Sequence, residues 1–487
     1  MDFLQILDAP IEPGGLVEWI PAVPGGLGSW RRDSRETSHN HEQHLRSAFE
    51  YRARTHREGG RESWLGVSIE FAEPLSIPSI RAAMIAYVNR HEVLRTHVVL
   101  KADHDGRYRT ERYSTERETV HLKMSRIGWY TETPLLLEQV AGSFDRATAP
   151  LHWPAYRFAT VARPHSFTLL FAADHSLVDG YSLVTAQYEL TELYRASRDR
   201  RPPALEPAGS YLDFSDAQRR AADLEGPEHP AAQTWARFIA PYGGTFPPNP
   251  LLDDPPPAGT SPDDHEPPVI DHRPGGGAVE AAPPQPFQPS RTCLLLDDAG
   301  ARRFEDFCER SGASTIGGLL GALSVAFRAT TDADEFVVVM PRHTRTDAAW
   351  AHSLGWFVGL APMAIDIHDT PDLVEAARRS TAAVTESKYG GALPFLRVAD
   401  LIGVGGSPHM VVSYMDTRGT PRADVADAGG ARVLRSHSYA DDEVYVWVNR
   451  TPGGLRMHAR YPAVGVDRVP RFLDLFARLL ASTPAER

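Results

Sequence analysis

The chain has 487 residues, more than the about 250–300 at which a single hydrophobic core stops growing, so its length predicts two packed lobes. Hydrophobic residues make up 42% of the chain and charged residues 23%, a globular balance that excludes wholesale disorder. The net charge of −12 argues against nonspecific binding to nucleic acid or to an anionic membrane.

The lack of a recognisable secretory signal and the small number of cysteines predict a cytoplasmic protein. The first residues lack a basic region followed by an apolar core, so we expect no secretory signal. The sequence has no uninterrupted run of about 18 apolar residues, so we expect no transmembrane helix. Two cysteines, Cys293 and Cys308, cannot form a disulfide framework or a four-thiolate zinc site, and they suit a reducing compartment.

The first part of the chain alternates strand-like and helix-like runs, which predicts α/β layering. Residues 64–71 (WLGVSIEF) fit a strand, and apolar residues then recur every four positions over 80–88, which predicts a helix with one apolar face. Residues 167–173 (FTLLFAA) are continuously apolar, as in a strand buried on both faces. A short polar loop leads from this strand to a helix predicted over 182–194.

Proline and glycine concentrate in residues 241–290, where apolar periodicity is nearly absent. We predict an irregular connector there, because proline removes backbone donors and holds extended angles. A proline-rich docking segment is the alternative, but no repeated P-x-x-P pattern supports it. The connector divides the chain into an N-terminal lobe, residues 1–240, and a C-terminal lobe, residues 291–487.

The C-terminal lobe shows the same alternation. Its predicted elements are a strand over 292–296, a buried helix over 316–327, a central strand over 336–340, a hairpin joining 444–448 to 455–458, and a closing helix over 466–480. Asp297 and Asp298 are candidate N-caps for the helix after the first of these strands.

The loop after the FTLLFAA strand, residues 174–182 (DHSLVDGYS), has the residues best suited to chemistry, and α/β proteins place active sites at such loops. His175 titrates near neutrality and can act as a general base. Asp179 can orient the imidazole or pair with an arginine that braces the loop. The alternative is a structural histidine beside a helix-capping aspartate, because the H-x-x-x-D spacing is common.

Seven segments in chain order resemble motifs of the condensation domains of nonribosomal peptide synthetases, in the superfamily of chloramphenicol acetyltransferase. The DHSLVDG segment is similar to the family's H-H-x-x-x-D-G signature. The other six are 89–96 (NRHEVLRT), 211–214 (YLDF), 340–345 (MPRHTR), 354–358 (LGWFV), 393–395 (LPF) and 411–416 (VVSYMD). The stretch VSYMDTR is especially similar to polyketide-associated acyltransferases. Asp174 replaces the family's first histidine, and Gly359 replaces its common asparagine.

The resemblance implies an α/β (α+β layered) fold of two chloramphenicol acetyltransferase-like lobes, arranged in a V around a central tunnel. One mouth would admit an acyl or aminoacyl thioester on the phosphopantetheine arm of an acyl or peptidyl carrier protein. The other would admit the hydroxyl or amine of a separate small-molecule acceptor. The chain would then be a free-standing condensation enzyme of natural-product (antibiotic) biosynthesis, with no bound cofactor, forming an ester in preference to an amide.

The same resemblance assigns roles in the loop. His175 would accept the proton of the attacking group or hold that group in line with the thioester carbonyl, and the Gly180 N–H would stabilise the oxyanion. Asp179 would pair with Arg345, with Arg342 as the second choice.

Further residues would support these groups. Asp174 and Ser182 would hold the loop, Ser182 by capping the following helix or else by lining the tunnel. The residues expected along the tunnel are Tyr181, Trp356, Phe357 and Ser413, although Trp356 and Phe357 also fit an ordinary core.

Three other functions stay open. The first is an acyl-CoA- or polyketide-dependent acyltransferase that makes a lipid ester. The second is a non-catalytic platform that recruits a carrier protein; the Asp174 replacement favours it mildly, whereas retention of His175, Asp179 and Gly180 argues against it. An epimerase-like member is the third, with no residue that marks it out.

Residues 38–44 (SHNHEQH) have the spacing of a transition-metal chelate. Their neighbourhood is highly polar, and closed zinc sites need four convergent ligands. We therefore expect a solvated loop or helix start there and no metal site.

Overall fold

The computed structural model describes residues 2–55, 64–102, 108–252, 288–369, 371–437 and 442–483. The strands are β1 (Asp2–Gln5), β2 (Gly15–Ala22), β3 (Arg31–Asp33), β4 (Trp64–Phe71), β5 (Thr96–Ala102), β6 (Tyr108–Ser114), β7 (His121–Trp129), β8 (Tyr156–Ala162), β9 (Phe167–Asp174), β10 (Ser290–Asp297), β11 (Glu335–His343), β12 (Val358–Asp366), β13 (Met410–Asp416), β14 (Arg432–Arg435), β15 (Val444–Thr451) and β16 (Gly454–Arg460). The α-helices are α1 (His39–Thr55), α2 (Ile77–Arg90), α3 (Thr133–Ala147), α4 (Gly180–Arg198), α5 (Tyr211–Asp223), α6 (Pro230–Ile239), α7 (Asp298–Arg310), α8 (Thr315–Thr331), α9 (Leu373–Glu386), α10 (Phe395–Ile402), α11 (Ala423–Ala428) and α12 (Val469–Ala481).

A seven-stranded sheet forms the N-terminal lobe, in the order β1-β14-β4-β9-β8-β2-β7. Its central strand β9 is the FTLLFAA strand, and all of its residues are buried, as predicted. Because side chains alternate along a strand, Phe171 packs in the core that includes α2 and α4. Leu170 and Ala172 point the other way, into the core formed with α3. The end of β9 is therefore packed against a hydrophobic core on each face of the sheet. A small separate sheet has the order β3-β6-β5.

A six-stranded sheet forms the C-terminal lobe, in the order β10-β16-β15-β13-β11-β12. The predicted hairpin is present, since β15 and β16 pair antiparallel across residues 451–454. Asp297 caps α7 by accepting a hydrogen bond of 2.7 Å from the Gly300 N–H, whereas Asp298 lies in the first turn. One face of the sheet is covered by α7, α8 and α12.

The apolar helix α8 lies within the core of the C-terminal lobe. Its buried residues include Leu319, Leu320, Leu323 and Phe327, which confirms the prediction of a buried helix. Among the described helices, none alone has the length and apolar character needed to cross a membrane. The pair α7 and α8 passes that test only together, across a bend of 93°.

Two elements cross between the halves of the sequence. Strand β14 enters the N-terminal sheet, where it pairs parallel with β1 and antiparallel with β4. Helix α6 packs towards the C-terminal lobe, and its Trp235 donates a hydrogen bond of 3.1 Å to the Gly390 carbonyl. The division of the chain at 241–290 anticipates neither contact. Residues 253–287, most of the predicted connector, lie outside the described residues.

The position of β14 generates a test of stability. Leu434 is fully buried in the core beneath α3, so Leu434→Ala should lower the free energy of unfolding by about 2–5 kcal/mol. Leu224→Ala is the matched control, because Leu224 is 88% exposed and its truncation should cost less than about 0.5 kcal/mol. Urea denaturation followed by tryptophan fluorescence measures both. Equal losses in the two variants would contradict the packing of β14.

Candidate active site

His175 lies directly after β9, in a tight turn that ends where α4 begins. The Leu177 N–H donates to the Asp174 carbonyl at 2.9 Å, which closes this turn. The His175 ring is half-buried and lies against Trp356, with ring centroids 4.5 Å apart. Burial lowers the pKa of His175 below its ordinary value, because it penalises the charged ring. The imidazole is therefore neutral at physiological pH.

The two ring nitrogens of His175 have different surroundings. Nδ1 is buried and has no partner of normal hydrogen-bond geometry among the described residues. The backbone carbonyl of His175 itself acts on the ring and partly offsets the lowering of the pKa. When the proton is on Nδ1, the lone pair is on Nε2. The ring can then accept a proton at Nε2.

A buried ion pair braces the histidine turn. Arg345 donates to the two carboxylate oxygens of Asp179, at 2.7 Å and 3.1 Å, and both side chains are less than a tenth exposed. Burial alone would raise the pKa of Asp179, but the charge and hydrogen bonds of Arg345 outweigh it and lower the pKa. Asp179 also accepts a hydrogen bond of 3.0 Å from the Phe357 N–H. This is the pair that the sequence analysis expected; Arg342 instead donates to the Val384 carbonyl.

The expectation that Ser182 caps α4 is wrong. Asp179 is the N-cap, and its carboxylate accepts a hydrogen bond of 2.7 Å from the Ser182 N–H. Both residue types favour that position, but only Asp179 precedes the first turn. The Ser182 hydroxyl donates to the Gly355 carbonyl at 2.9 Å and accepts from Arg345 at 2.8 Å. Ser182 thus fastens α4 to the segment that precedes β12.

Aromatic rings surround the guanidinium group of Arg345. Its central carbon lies 4.1 Å from the centroid of the Phe357 ring and 4.9 Å from that of Tyr181. Phe357 is fully buried and packs on Tyr211, so it supports Arg345 and does not line an open space. Trp356 and Tyr181 are half-buried. Of the aromatic residues predicted along the tunnel, Trp356 is the one that contacts His175.

Gly180 and Ser413 come from different lobes. Gly180 begins α4, where the first N–H groups have no acceptor within the helix. A side chain there would crowd the other lobe, because a Cβ on Gly180 would lie 3.3 Å from the Met415 side chain. Ser413 lies two residues from Met415 on β13, so it points from the same face of that strand.

The predicted tunnel is not identified among the described residues and stays a prediction. A cavity of about 520 Å³ lies elsewhere, between residues 238–250 and the C-terminal lobe. Phe246, Val339 and Met410 are among its lining residues, and none of the predicted site residues borders it.

The structure adds one residue that the sequence analysis missed. His44 of α1 lies with its Nε2 2.9 Å from a carboxylate oxygen of Asp174. The segment that was expected to be solvated begins a helix, as predicted, but the side chains of His39 and His41 are buried. The prediction that residues 38–44 are solvated is therefore wrong. The spacing of His41 and His44 could have indicated that both side chains lie on one face of a helix, since residues three apart share a face.

No group of three or more metal-ligating side chains is found within the ranges that the structure describes. The histidines of α1 have separate partners: His39 faces Asp223 at 2.9 Å, and His44 faces Asp174.

The sequence profile of the Condensation domain family matches residues 56–261 and 273–408. Acyltransferase PapA3 of Mycobacterium tuberculosis is 24% identical over 488 residues, covering 95% of each chain. The 2'-acyl-2-O-sulfo-trehalose (hydroxy)phthioceranyltransferase PapA1 of Mycobacterium bovis is 26% identical over 409 residues, covering 80% of this chain and 72% of PapA1.

Solved structures show the same fold. The structure of PapA2 acyl transferase superposes with a TM-score of 0.81 at 20% identity, covering 99% of both chains. The first condensation domain of the calcium-dependent antibiotic synthetase superposes with a TM-score of 0.64 at 18% identity, covering 93% of this chain and 98% of that domain. The predicted two-lobed fold is confirmed.

The buried ion pair generates a stability prediction. Asp179→Asn keeps the shape of the side chain but leaves the buried Arg345 charge without a counterion, so the free energy of unfolding should fall by about 3–5 kcal/mol. Asp179→Ala should in addition reduce the yield of soluble protein. The control is Arg31→Ala, which breaks the exposed pair with Glu116 and should cost less than about 1 kcal/mol. Urea denaturation compares them, and a wild-type midpoint for Asp179→Asn would exclude the bracing role.

The lowered pKa of His175 predicts a titration below the ordinary value of 6.5. Because the neutral ring persists to lower pH than in an unfolded chain, the protonated form should appear only under more acidic conditions. Nuclear magnetic resonance of the ring Cε1–H signal, assigned with His175→Gln, measures this midpoint. A midpoint at or above 6.5 would contradict the burial argument.

Proposed function

The chain belongs to the condensation-domain family and is an acyltransferase, and from this premise we propose that it transfers an acyl group from a carrier-protein thioester to an acceptor hydroxyl. The product would be an ester, made in a natural-product pathway. The observation that carries the proposal is the neutral, half-buried His175 on a braced turn next to the C-terminal lobe.

In the proposed reaction, His175 acts as the general base. Its Nε2 takes the proton of the acceptor hydroxyl while the hydroxyl oxygen forms a bond to the thioester carbonyl carbon. The carbon–sulfur bond then breaks, and the protonated His175 returns the proton to the departing thiolate. The products are an ester and a free phosphopantetheine thiol. An alcohol needs this help because its own pKa lies far above neutral pH.

The start of α4 is suited to the negative charge of the intermediate. The Gly180 N–H lies at the N-terminus of a 19-residue helix, where helix dipole and free donors favour an anion. Hydrogen bonds aimed at a developing oxyanion are a large source of rate enhancement. We assign this role to the Gly180 N–H.

The ion pair of Asp179 and Arg345 would affect the reaction rate only by holding the catalytic groups in place. It holds the turn and α4 in one arrangement, so His175 and Gly180 keep their separation when substrate enters. A preorganised site avoids the free-energy cost of ordering these groups during the reaction.

The proposed donor is a thioester on a phosphopantetheine arm, which enters as substrate and not as a resident cofactor. Carrier proteins and coenzyme A share this chemistry, and the family resemblance favours a carrier protein. The acceptor is a small molecule with a hydroxyl group. The relatives named as acyltransferases support an ester in preference to an amide.

One alternative has a specific observation in its favour. The relatives PapA1 and PapA3 are mycobacterial acyltransferases, and PapA1 is named for a phthioceranyl transfer to an acylated sulfotrehalose. This chain would then use a coenzyme A or polyketide donor to make a lipid ester. The two functions differ in the molecule that bears the thioester.

One transfer assay tests the proposal. The same acyl groups are presented on a carrier protein and on coenzyme A, with panels of alcohols and amines, and products are identified by mass spectrometry. Wild-type protein should form esters from the carrier, and His175→Ala should reduce the rate by about 10²–10⁴-fold, as expected on removal of a general base. The control is His121→Gln, an exposed histidine on β7, which should keep the wild-type rate.

The other outcomes separate the alternatives. Products from coenzyme A alone would favour the lipid-ester function. Amides in place of esters would change the acceptor class. Binding of the loaded carrier without any product would favour the non-catalytic platform.

A further inference from the structure

Asp174 occupies the position at which the family signature has its first histidine, and it is almost fully buried next to His175. One carboxylate oxygen lies 2.9 Å from His44 Nε2, and the other accepts a hydrogen bond of 2.9 Å from the Ser176 N–H. A lone buried carboxylate is costly, so a partner with positive charge is required. One such partner, His44, comes from α1 and not from the motif.

The pKa values of His44 and Asp174 shift in opposite directions, and in both cases the shift favours the charged form. Burial alone would lower the pKa of His44, but the adjacent Asp174 carboxylate outweighs it, and the pKa is raised. Burial would likewise raise the pKa of Asp174, but His44 and the Ser176 hydrogen bonds lower it. These shifts favour an imidazolium that faces a carboxylate, and such a pair has no net charge.

The pair of His44 and Asp174 affects His175, the proposed base, in two ways: through its charges and through packing against Trp356. His44 lowers the pKa of His175 and Asp174 raises it, so their effects oppose one another. The ring of Trp356 contacts both histidines. Its centroid is 5.9 Å from that of His44, in an edge-to-face arrangement, and 4.5 Å from that of His175.

Other ionisable groups surround the pair and His175. His41, three residues before His44 on α1, is neutral because burial lowers its pKa to about 3. Its environment includes Arg112 of β6 and His97 of β5. Asp179 also acts on His175, but its charge is matched by Arg345. The Asp174 carboxylate in turn lies 2.9 Å from His44 Nε2.

We propose that His44 is a positioning residue that neutralises the Asp174 carboxylate, keeps His175 uncharged and holds Trp356 against the His175 ring. The inference rests on the proposed function of His175 as base. Without His44, the carboxylate adjacent to His175 would favour a proton on that ring. A protonated His175 cannot accept the proton of an acceptor hydroxyl.

The test measures the charge state of His175 directly. His44→Gln should move the titration of the His175 Cε1–H signal to higher pH. At pH values below the His175 midpoint, this variant should also have a kcat/KM about 3–10-fold lower than wild type. The reason is that a midpoint one pH unit higher leaves about a tenth as much neutral His175 ring at those pH values. At high pH the activity should stay within about twofold of wild type. Asp174→Asn in the His44→Gln background should return the titration to lower pH, because it removes the negative charge beside His175.

His39→Gln is the matched control. It removes a histidine from the same helix that also lies 2.9 Å from an aspartate, but that aspartate, Asp223, is on α5. This variant should leave the His175 titration unchanged. It therefore separates the charge at position 44 from general damage to α1.

Two results would overturn the inference. One is an unchanged His175 titration in His44→Gln; the other is a loss of activity that is equal at all pH values and is not relieved by Asp174→Asn. If His44→Gln does not fold, Asp174→Asn alone decides, because the titration of His44 must then move to lower pH. The titrations need no substrate, so a failure of the proposed function would appear separately, as wild-type protein without His175-dependent transfer.

Discussion

The buried pair of Asp179 and Arg345 is the interaction on which the arrangement of the site depends. It joins the start of α4 in one lobe to the segment after β11 in the other, across 166 residues of sequence. Removing two charges from water costs several kcal/mol per ion, and only good geometry offsets this cost. Here the carboxylate also accepts main-chain hydrogen bonds from Ser182 and Phe357. Because its partners come from both lobes, the pair fixes the histidine turn relative to each of them.

Much of this fold was predictable because its signals are local. The continuous apolar run of β9, the apolar helix α8 and the turn between β15 and β16 each depend on neighbouring residues. Pairing with an arginine was one of the roles that the loop position of Asp179 allowed, because a buried carboxylate is costly without a counterion. The family motif then indicated which arginine it was.

The features that the sequence did not predict depend on distant partners. Strand β14 has four residues, too few for a periodic pattern, and its place is set by β1 and β4. His44 lies 130 residues from Asp174, in a segment whose polar composition indicated solvent. Ser182 and Asp179 are both good capping residues, so propensity alone could not choose between them. In each case a tertiary contact outweighs the local signal.

The path of β14 also determines how the gene for such a protein could be divided. A fragment that ends near the connector would leave β1 and β4 without the strand between them, with exposed backbone donors and acceptors on both. The complementary fragment would carry β14 without its sheet. The two halves are therefore coupled like partners in fragment complementation, in which each supplies what the other lacks. Recombination that exchanges one half for that of a distant relative would have to preserve this strand pairing.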